Sequence, residues 1–276
     1  MTPPRDPGES ATEAAADDTP PKPSSEYVQS FARGLGVIRA FGPRAKTMTL
    51  TEVAQKTGLT RAGARRILLT LQTLGYVSLD GRSFSLTPRV LDLGYSYLSS
   101  MPLWDVAQPI MEDLVDRVHE SVSASVLDGG EIVYVLRVPT HRIMTIGLSI
   151  GSRLPAYCTS MGRVLLGTLS EEALDRALAA TRLEQVTRHT VTDAKQLKKL
   201  IAADAKRGWS LVDQELEEGL RSISVPLRDS AGHVIAAMNI SGQAARCTVT
   251  DMQKNFLPEL QGAAARIEQA LRLRGR

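Results

Sequence analysis

The chain has 276 residues, of which 43% are hydrophobic and 23% charged, a balance typical of a soluble protein with one large core or two modest ones, and two domains are predicted. No apolar run approaches the ~20 residues that a membrane-spanning helix needs, which excludes a membrane-embedded protein. Two cysteines, Cys158 and Cys247, are too few for a disulfide framework or a zinc cluster and are expected to be buried thiols in a reducing cytoplasm.

The net charge of +3 conceals a segregation of charge along the chain. Residues 1–26 contain six acidic and two basic residues (−4), residues 27–100 contain ten basic and three acidic residues (+7), and the remainder is neutral. Residues 1–25 also lack the apolar stretch of a signal peptide and are predicted to be a disordered tail. The positive segment carries the charge that binding to a phosphate backbone requires, although a coincidentally basic surface is the alternative.

The segment Glu26–Phe41 is predicted to form an amphipathic helix, because apolar residues recur in it at helical spacing. Its stripe consists of Val28, Phe31, Leu35, Ile38 and Phe41.

The segment Thr49–Val77 is typical of a helix-turn-helix. Thr49 and Glu52 form the pattern of a capping box at the start of one helix. Gly58 can take the left-handed backbone that ends this helix, and Thr60 can cap the next. The second helix is predicted to bury one side, made of Ala64, Ile67, Leu68, Leu71 and Leu74.

The opposite side of the second helix carries basic and small side chains, so it could enter a DNA major groove. The alternative is that it is the solvated face of an ordinary helical hairpin. Strand-like runs at Tyr76–Leu79 and Arg82–Leu86 flank Asp80-Gly81, which favours a two-residue hairpin turn and therefore predicts a winged variant. The residues predicted to contact a double-stranded DNA operator are Thr49, Thr60, Arg61, Ala62, Gly63, Arg65, Arg66 and Arg82.

A linker helix is predicted after Thr87-Pro88. Its apolar stripe contains Val90, Leu93, Tyr97 and Met101. This stripe needs a partner, which is either a second copy of the chain or the protein's own wing.

Beyond Trp104, helical and strand-like runs interleave, which predicts an α+β domain with a mostly antiparallel sheet flanked by helices. The first helix is expected to begin near Pro109, one strand is expected at Met144–Leu148, and a long helix is expected from about Asp251 to Leu273. The predicted division is a tail (1–25), a winged helix-turn-helix domain (26–88), a linker helix (89–102) and a C-terminal domain (103–276).

A serine-hydrolase pattern, GxSxG, occurs at residues 147–151 and makes an esterase using Ser149 one alternative function. A second alternative is a scaffold that binds DNA without sensing a ligand. A nucleophile elbow requires a helix immediately after the serine, whereas residues 152–155 are expected to be extended, so no catalytic residue is predicted. The four histidines lack metal-ligand spacing, and neither a metal nor a cofactor is predicted.

The stretch Gly151–Gly167, GSRLPAYCTSMGRVLLG, predicts a helix that opens near Ser160 after an extended run. Unpaired N–H groups at such a start can bind a carboxylate, and a merely capped helix is an equally simple interpretation.

Two stretches, GSRLPAYCTSMGRVLLG and DQELEEGLRSISVPLRD (213–229), together with the order of elements over about residues 27–274, resemble the IclR family of bacterial transcriptional regulators. Within it they are most similar to regulators of protocatechuate and β-ketoadipate-pathway genes. The resemblance implies a winged helix-turn-helix, a linker helix, a GAF-like effector-binding domain, and homodimers that pair into tetramers. It therefore predicts a cytoplasmic, DNA-binding regulator that senses a small organic acid.

Family pockets also imply the effector site. The backbone amides of Ser160 and Met161 would bind the effector carboxylate. The polar partners would be Asp213, Ser222, Asn239 and Ser241, and the apolar wall Ile146, Leu154 and Leu220. Met161 and Asn239 replace smaller residues of the family members that bind small keto acids, so the resemblance leaves an aromatic or a dicarboxylic acid open.

Overall fold

The computed structural model describes residues 26–42, 45–99, 103–140 and 148–274. The chain divides into two compact units, and the boundary falls between Leu93 and Gly94. The predicted tail at residues 1–25 and all but the last residue of the predicted strand at 144–148 lie outside the described ranges. No helix within those ranges is long and apolar enough to cross a membrane.

The N-terminal unit combines a helical core with a small antiparallel sheet. Its elements among the described residues are α1 (Gln29–Ala40), β1 (Thr47–Thr49), α2 (Leu50–Thr57), α3 (Arg61–Thr73), β2 (Val77–Asp80) and β3 (Ser83–Leu86). In the sheet, β3 lies between β1 and β2. The predicted winged helix-turn-helix is therefore present, with β1 as an additional strand.

The local signals that predicted α2 and α3 are confirmed. Oε2 of Glu52 accepts the Thr49 N–H at 2.7 Å while the Thr49 hydroxyl accepts the Glu52 N–H, which completes the capping box. Gly58 ends α2 at φ 67°, a left-handed conformation that glycine adopts without steric strain because it has no Cβ. The Thr60 hydroxyl accepts the Gly63 N–H at 3.1 Å and so caps α3.

Two predicted apolar faces differ from the structure. On α1, the buried residues are Val37 and Ala40, whereas Phe31 and Leu35 of the predicted stripe are exposed. On α3, Leu74 is 51% exposed because it is the C-cap residue, where the helix ends and the chain turns away from the core. Helical periodicity predicts that a helix has an apolar face, but the packing of neighbouring elements decides which of its apolar residues are buried.

The wing turn lies one residue later than expected. Asp80 pairs with Ser83, so the two residues of the turn are Gly81 and Arg82. Gly81 has φ 56°, which is the left-handed conformation that such turns favour. Arg82 is therefore at the tip of the wing.

The C-terminal unit is built on a six-stranded antiparallel sheet. The helix that crosses the boundary, α4 (Leu91–Leu98), follows a 3-10 turn at Pro88–Val90. The later elements are α5 (Leu103–Val118), β4 (Ser121–Asp128), β5 (Glu131–Val138), β6 (Arg153–Pro155), α6 (Ser160–Leu166), α7 (Glu171–Ala179), α8 (Ala194–Arg207), β7 (Ser210–Asp213), β8 (Leu220–Arg228), β9 (Val234–Gln243), α9 (Val249–Asp251) and α10 (Leu257–Arg274). A π-helical stretch, Met252–Phe256, connects α9 to α10. The strand order is β6-β5-β4-β9-β8-β7.

The two faces of this sheet are covered by different helices. One face packs its apolar side chains against α5 and α10 in a large hydrophobic cluster. The other face meets α6, whose own buried residues continue into a second cluster with α7 and α8. The predicted α+β layering is confirmed.

The prediction that α5 begins near Pro109 is wrong, because the helix begins at Leu103 and contains the proline. Leu103, Trp104 and Val106 are buried, and this burial favours extending the helix before the proline. Proline removes the N–H that would bond to Asp105, but both residues are exposed, so water can solvate that carbonyl.

Candidate functional site

The second helix of the motif, α3, presents a basic surface. Arg61, Ala62, Arg65 and Arg66 are all exposed. No ion pair to any of these arginines is found among the described residues. The surface therefore keeps its full positive charge, which is what attraction to phosphate requires.

The remaining predicted DNA-binding residues belong to the same unit. Thr49 and Thr60 are engaged as the N-caps of α2 and α3. Gly63 lies in the first turn of α3, which contains no acidic residue, so an approaching phosphate meets no repulsion there. Arg82 is exposed at the wing tip. All eight predicted residues thus lie on the helix-turn-helix or its wing.

A cavity of about 240 Å³ lies between the sheet, the start of α6 and the segment that joins β7 to β8. Seven residues predicted for the effector site line it, namely Leu154, Ser160, Met161, Leu220, Ser222, Asn239 and Ser241. Ile146 lies outside the described residues. Further lining residues, which the sequence did not single out, are Tyr134, Arg137, Leu148, Cys158, Thr159, Val212, Leu216 and Glu217.

The sheet face towards the cavity is polar because serine alternates with apolar residues along the central strands. Ser123 in β4 is paired with Arg137 in β5 and with Asn239 in β9, so these three side chains form one row across the sheet. Ser222 and Ser241 pair in the next row. Alternation places the intervening apolar side chains on the opposite face, against α5 and α10. The repeated serines in SVSASV and RSISV were the signal by which the sequence could have indicated this face.

A chain of hydrogen bonds connects α6 to the polar face. The hydroxyl groups of Ser160 and Ser222 are hydrogen bonded, and Nδ2 of Asn239 donates to Ser222 Oγ at 3.4 Å. Oδ1 of Asn239 has no partner in the described part of the chain, although the residue is only 4% exposed. An unpaired buried oxygen costs free energy, and a ligand hydroxyl that donates to it removes that cost.

The start of α6 offers two backbone donors. The Thr159 hydroxyl accepts the Gly162 N–H at 3.2 Å, and the Thr159 carbonyl accepts the Arg163 N–H. No acceptor for the N–H groups of Ser160 and Met161 occurs among the hydrogen bonds of the described residues. Both groups are therefore available to an anion.

Arg137 is the basic side chain in the described lining of the cavity. Its Nη1 donates to Ser123 Oγ at 3.3 Å, and no carboxylate pairs with it in the ranges that the structure describes. Burial raises the pKa of the neighbouring Tyr134 to about 12, although the Arg137 charge acts in the opposite direction. The tyrosine hydroxyl thus stays protonated and can donate a hydrogen bond.

The expectation that Asp213 is a polar partner in the pocket is not matched by the geometry, since Asp213 is absent from the cavity lining. It forms a two-pronged ion pair with Arg221, with both N–O distances 2.9 Å. The reason is strand alternation: Val212 of β7 faces the cavity, so the next residue points to the other side of the sheet.

Two side chains in the cavity lining, those of Met161 and Cys158, are buried in the protein interior. Met161 is buried, and its sulfur accepts a hydrogen bond from Ser125 Oγ at 3.3 Å, so its side chain helps to fill the space between α6 and the sheet. Burial raises the pKa of Cys158 to about 12, which keeps it as a thiol rather than a nucleophilic thiolate.

Ser149 does not lie in a nucleophile elbow. A turn follows it, and the chain then enters β6 rather than a helix. Its N–H donates to the Ser152 hydroxyl at 2.9 Å within this turn. Residues 153–155 are extended as β6, as the sequence predicted.

A winged helix-turn-helix joined to a domain with a cavity lined by both polar and apolar side chains is the arrangement of a ligand-responsive transcriptional regulator. The chain belongs to the IclR family of such bacterial regulators: residues 30–81 match the IclR helix-turn-helix domain, and residues 95–269 match the bacterial transcriptional regulator IclR C-terminal domain. It is therefore a DNA-binding regulator that responds to a small-molecule effector, as predicted, and not an enzyme.

Known relatives confirm the predicted subgroup. The Pca regulon regulatory protein of Pseudomonas putida is 43% identical over 240 residues, which cover 87% of this chain and 82% of the relative. Among solved structures, a transcriptional regulator from Rhodococcus sp. RHA1 is 53% identical with a TM-score of 0.80, covering 89% of this chain and 98% of that one. An IclR homologue from Microbacterium hydrocarbonoxydans, solved with 4-hydroxybenzoate, is 25% identical with a TM-score of 0.79, covering 88% and 99%.

Proposed function

We propose that this protein controls catabolic genes in the cytoplasm by changing its affinity for an operator when a hydroxylated aromatic acid enters the C-terminal cavity. The observation that carries the proposal is the cavity itself. Within the part of the chain that the structure describes, its guanidinium has no ion pair, and two amide N–H groups and one amide oxygen have no hydrogen-bond partner. Its volume of about 240 Å³ is just below the range of about 300–1,000 Å³ typical of larger ligands, which favours a single-ring acid.

In the proposed complex, the carboxylate accepts hydrogen bonds from the Ser160 and Met161 amides, and Arg137 provides the compensating positive charge. Leu154 and Leu220 contact the ring, and Oδ1 of Asn239 accepts a hydrogen bond from the ring hydroxyl. Each buried polar group then has a partner, which is the condition for specific binding of a small polar ligand. The complex of a homologue with 4-hydroxybenzoate supports this class of effector.

A dicarboxylic intermediate of the β-ketoadipate pathway is the second candidate, because Arg137 and the α6 amides could each hold one carboxylate. Calorimetry on the full chain with 4-hydroxybenzoate, protocatechuate and β-ketoadipate separates the two. We expect an aromatic acid to bind more tightly. Absence of binding by all three would reject this effector assignment.

Ligand binding is expected to change operator affinity. An effector can do so only if it binds two states of the protein with different affinity, and DNA must then change effector affinity by the same factor. The measurement is a mobility-shift titration at fixed salt, with and without saturating acid, followed by calorimetry of the acid in the presence of operator DNA. Unchanged affinity in both experiments would contradict the proposal.

Replacing Arg65 with alanine is expected to weaken operator binding by about 1–3 kcal/mol, since this exposed arginine belongs to the basic surface of α3 that we propose faces the DNA. Binding to variant operators distinguishes its role: a uniform loss indicates a phosphate contact, and relaxed preference at one base pair indicates base readout. Arg176→Ala, which removes an exposed arginine from α7, is the control. If the Arg65 variant bound the operator as tightly as the wild type, the proposal that α3 is the DNA-reading helix would be contradicted.

The proposed active form is a homodimer that can pair into a tetramer, with residues 89–102 as the linker. The linker helix α4 carries four large hydrophobic residues that are exposed, namely Leu91, Leu93, Tyr95 and Tyr97. Four exposed apolar residues on one short helix favour association with another surface, and a second copy supplies it symmetrically. Sedimentation of the full chain tests this stoichiometry.

A further inference from the structure

A buried ion pair lies beside the cavity without lining it. Nη2 of Arg163 in α6 donates to Oε2 of Glu215 at 2.7 Å, and Nε of the same arginine donates to the Tyr157 carbonyl at 3.1 Å. Oε2 of Glu215 also accepts the Val191 N–H at 3.2 Å. Arg163 is 3% exposed and Glu215 is 7% exposed, so each charge depends on the other for compensation.

Glu215 belongs to the segment 214–219, which joins β7 to β8. Leu216 and Glu217, the next two residues, line the cavity. On its other side, the Glu215 carbonyl accepts a hydrogen bond from the Thr190 hydroxyl at 2.6 Å. The carboxylate of Glu215 therefore connects one wall of the cavity to α6, which forms another wall.

The segment is a compact turn with left-handed backbone near both ends. Gln214 has φ 61° and Gly219 has φ 82°. The side chain of Gln214 accepts the Gly219 N–H at 3.0 Å, which closes the turn on itself. This bond is internal to the turn, so it shapes the turn but does not connect it to α6. The Thr187 hydroxyl attaches the segment to a neighbouring loop by donating to the Gln214 carbonyl at 2.7 Å. The Glu215 carboxylate attaches it directly to α6 through Arg163.

We propose that Arg163 and Glu215 are positioning residues for the effector: their ion pair sets the separation between the amides at the start of α6 and the wall formed by segment 214–219. This inference rests on the cavity being the effector site. The pair touches no ligand, so its removal changes affinity only through the placement of the two walls. A wrongly spaced cavity would still bind, but more weakly.

The test is Glu215→Gln in the full-length protein. Glutamine keeps the size of the side chain and an oxygen for Val191, but it removes the negative charge that pairs directly with Arg163. We expect the Kd for 4-hydroxybenzoate, measured by calorimetry, to rise about tenfold, within the 5–150-fold range typical of coupling between separate sites.

A second measurement needs no ligand. Hydrogen exchange should be faster in segment 214–219 of the Glu215 variant, because local opening follows the loss of its attachment to α6. Glu218→Gln is the matched control, since it removes the same charge from the same segment. Glu218 is exposed and lies 3.6 Å from Arg188 at the surface, so neither affinity nor exchange should change.

The proposal is overturned if the Glu215 variant retains wild-type affinity, or if its segment 214–219 exchanges at the wild-type rate. If the wild type binds none of the three acids, the proposed function fails, and the exchange experiment alone decides whether the pair holds the segment. Should Glu215→Gln not fold, Arg163→Lys replaces it with the same expectations, because lysine keeps the charge but lacks the fork that reaches both Tyr157 and Glu215.

Discussion

Replacing Arg137 with methionine is expected to weaken binding of 4-hydroxybenzoate by about 2–5 kcal/mol, which is at least an order of magnitude in Kd. Arg137 is half-buried in the cavity lining and has no carboxylate partner among the described residues, so we propose it as the counter-ion of the effector carboxylate. Methionine has a similar length and preserves much of the packing, so the loss reports the charge. Calorimetry on the full chain measures it.

Arg153→Met is the matched control for this experiment. Arg153 lies on β6, next to β5 in the sheet, and pairs at the surface with Glu131 at 2.7 Å and Asp128 at 2.8 Å. Surface ion pairs contribute about 0–1 kcal/mol, so little change in stability or effector affinity is expected. Equal effects of the two substitutions would mean that Arg137 acts through general charge rather than by contact with the ligand.

Replacing Gly162 with alanine is expected to destabilise the C-terminal unit by about 1–3 kcal/mol or more and to abolish effector binding. A methyl group at this position would overlap the carbonyl oxygen of Ala156 and the hydroxyl of Thr159, and the backbone cannot yield as a flexible side chain would. Relief of this overlap moves the start of α6, and the amides of Ser160 and Met161 move with it. Thermal unfolding and calorimetry report the two effects.

Gly262→Ala is the control, and it is expected to raise stability rather than lower it. Gly262 is inside α10, and a methyl group there would meet no atom within 4 Å. Alanine should therefore stabilise the helix by about 0.5–1 kcal/mol and leave effector affinity unchanged. Wild-type effector affinity in the Gly162 variant would show that the α6 amides do not hold the ligand.

Local structure was predictable where a few neighbouring residues determine it. The capping box of Thr49 and Glu52, the left-handed Gly58 and the Thr60 cap all depend on contacts within four residues, and all three were foreseen. The register of the wing turn was missed by one residue, because Asp80-Gly81 and Gly81-Arg82 both contain the glycine that such a turn needs.

The candidate effector site was predictable only in part, and the resemblance supplied that part. Ser160, Ser222 and Asn239 do line one cavity. Arg137 was missed because a single arginine in the apolar strand EIVYVLRV gives no indication of which face it occupies. Asp213 was predicted to line the cavity, but its neighbour Val212 lines it, and Asp213 pairs with Arg221. Adjacent residues of a strand face opposite sides of the sheet, so an error of one position reverses the assignment.

The sequence by itself determined the type and order of most elements, the positive charge of the DNA-binding unit and the family, since these depend on periodicity, short-range capping and motifs. Tertiary structure alone decided which apolar stripe of α1 is covered, where α5 begins, and which polar side chains converge on the cavity. These features depend on contacts between residues far apart in the chain, such as Arg163 and Glu215, whose separation in space no local pattern records.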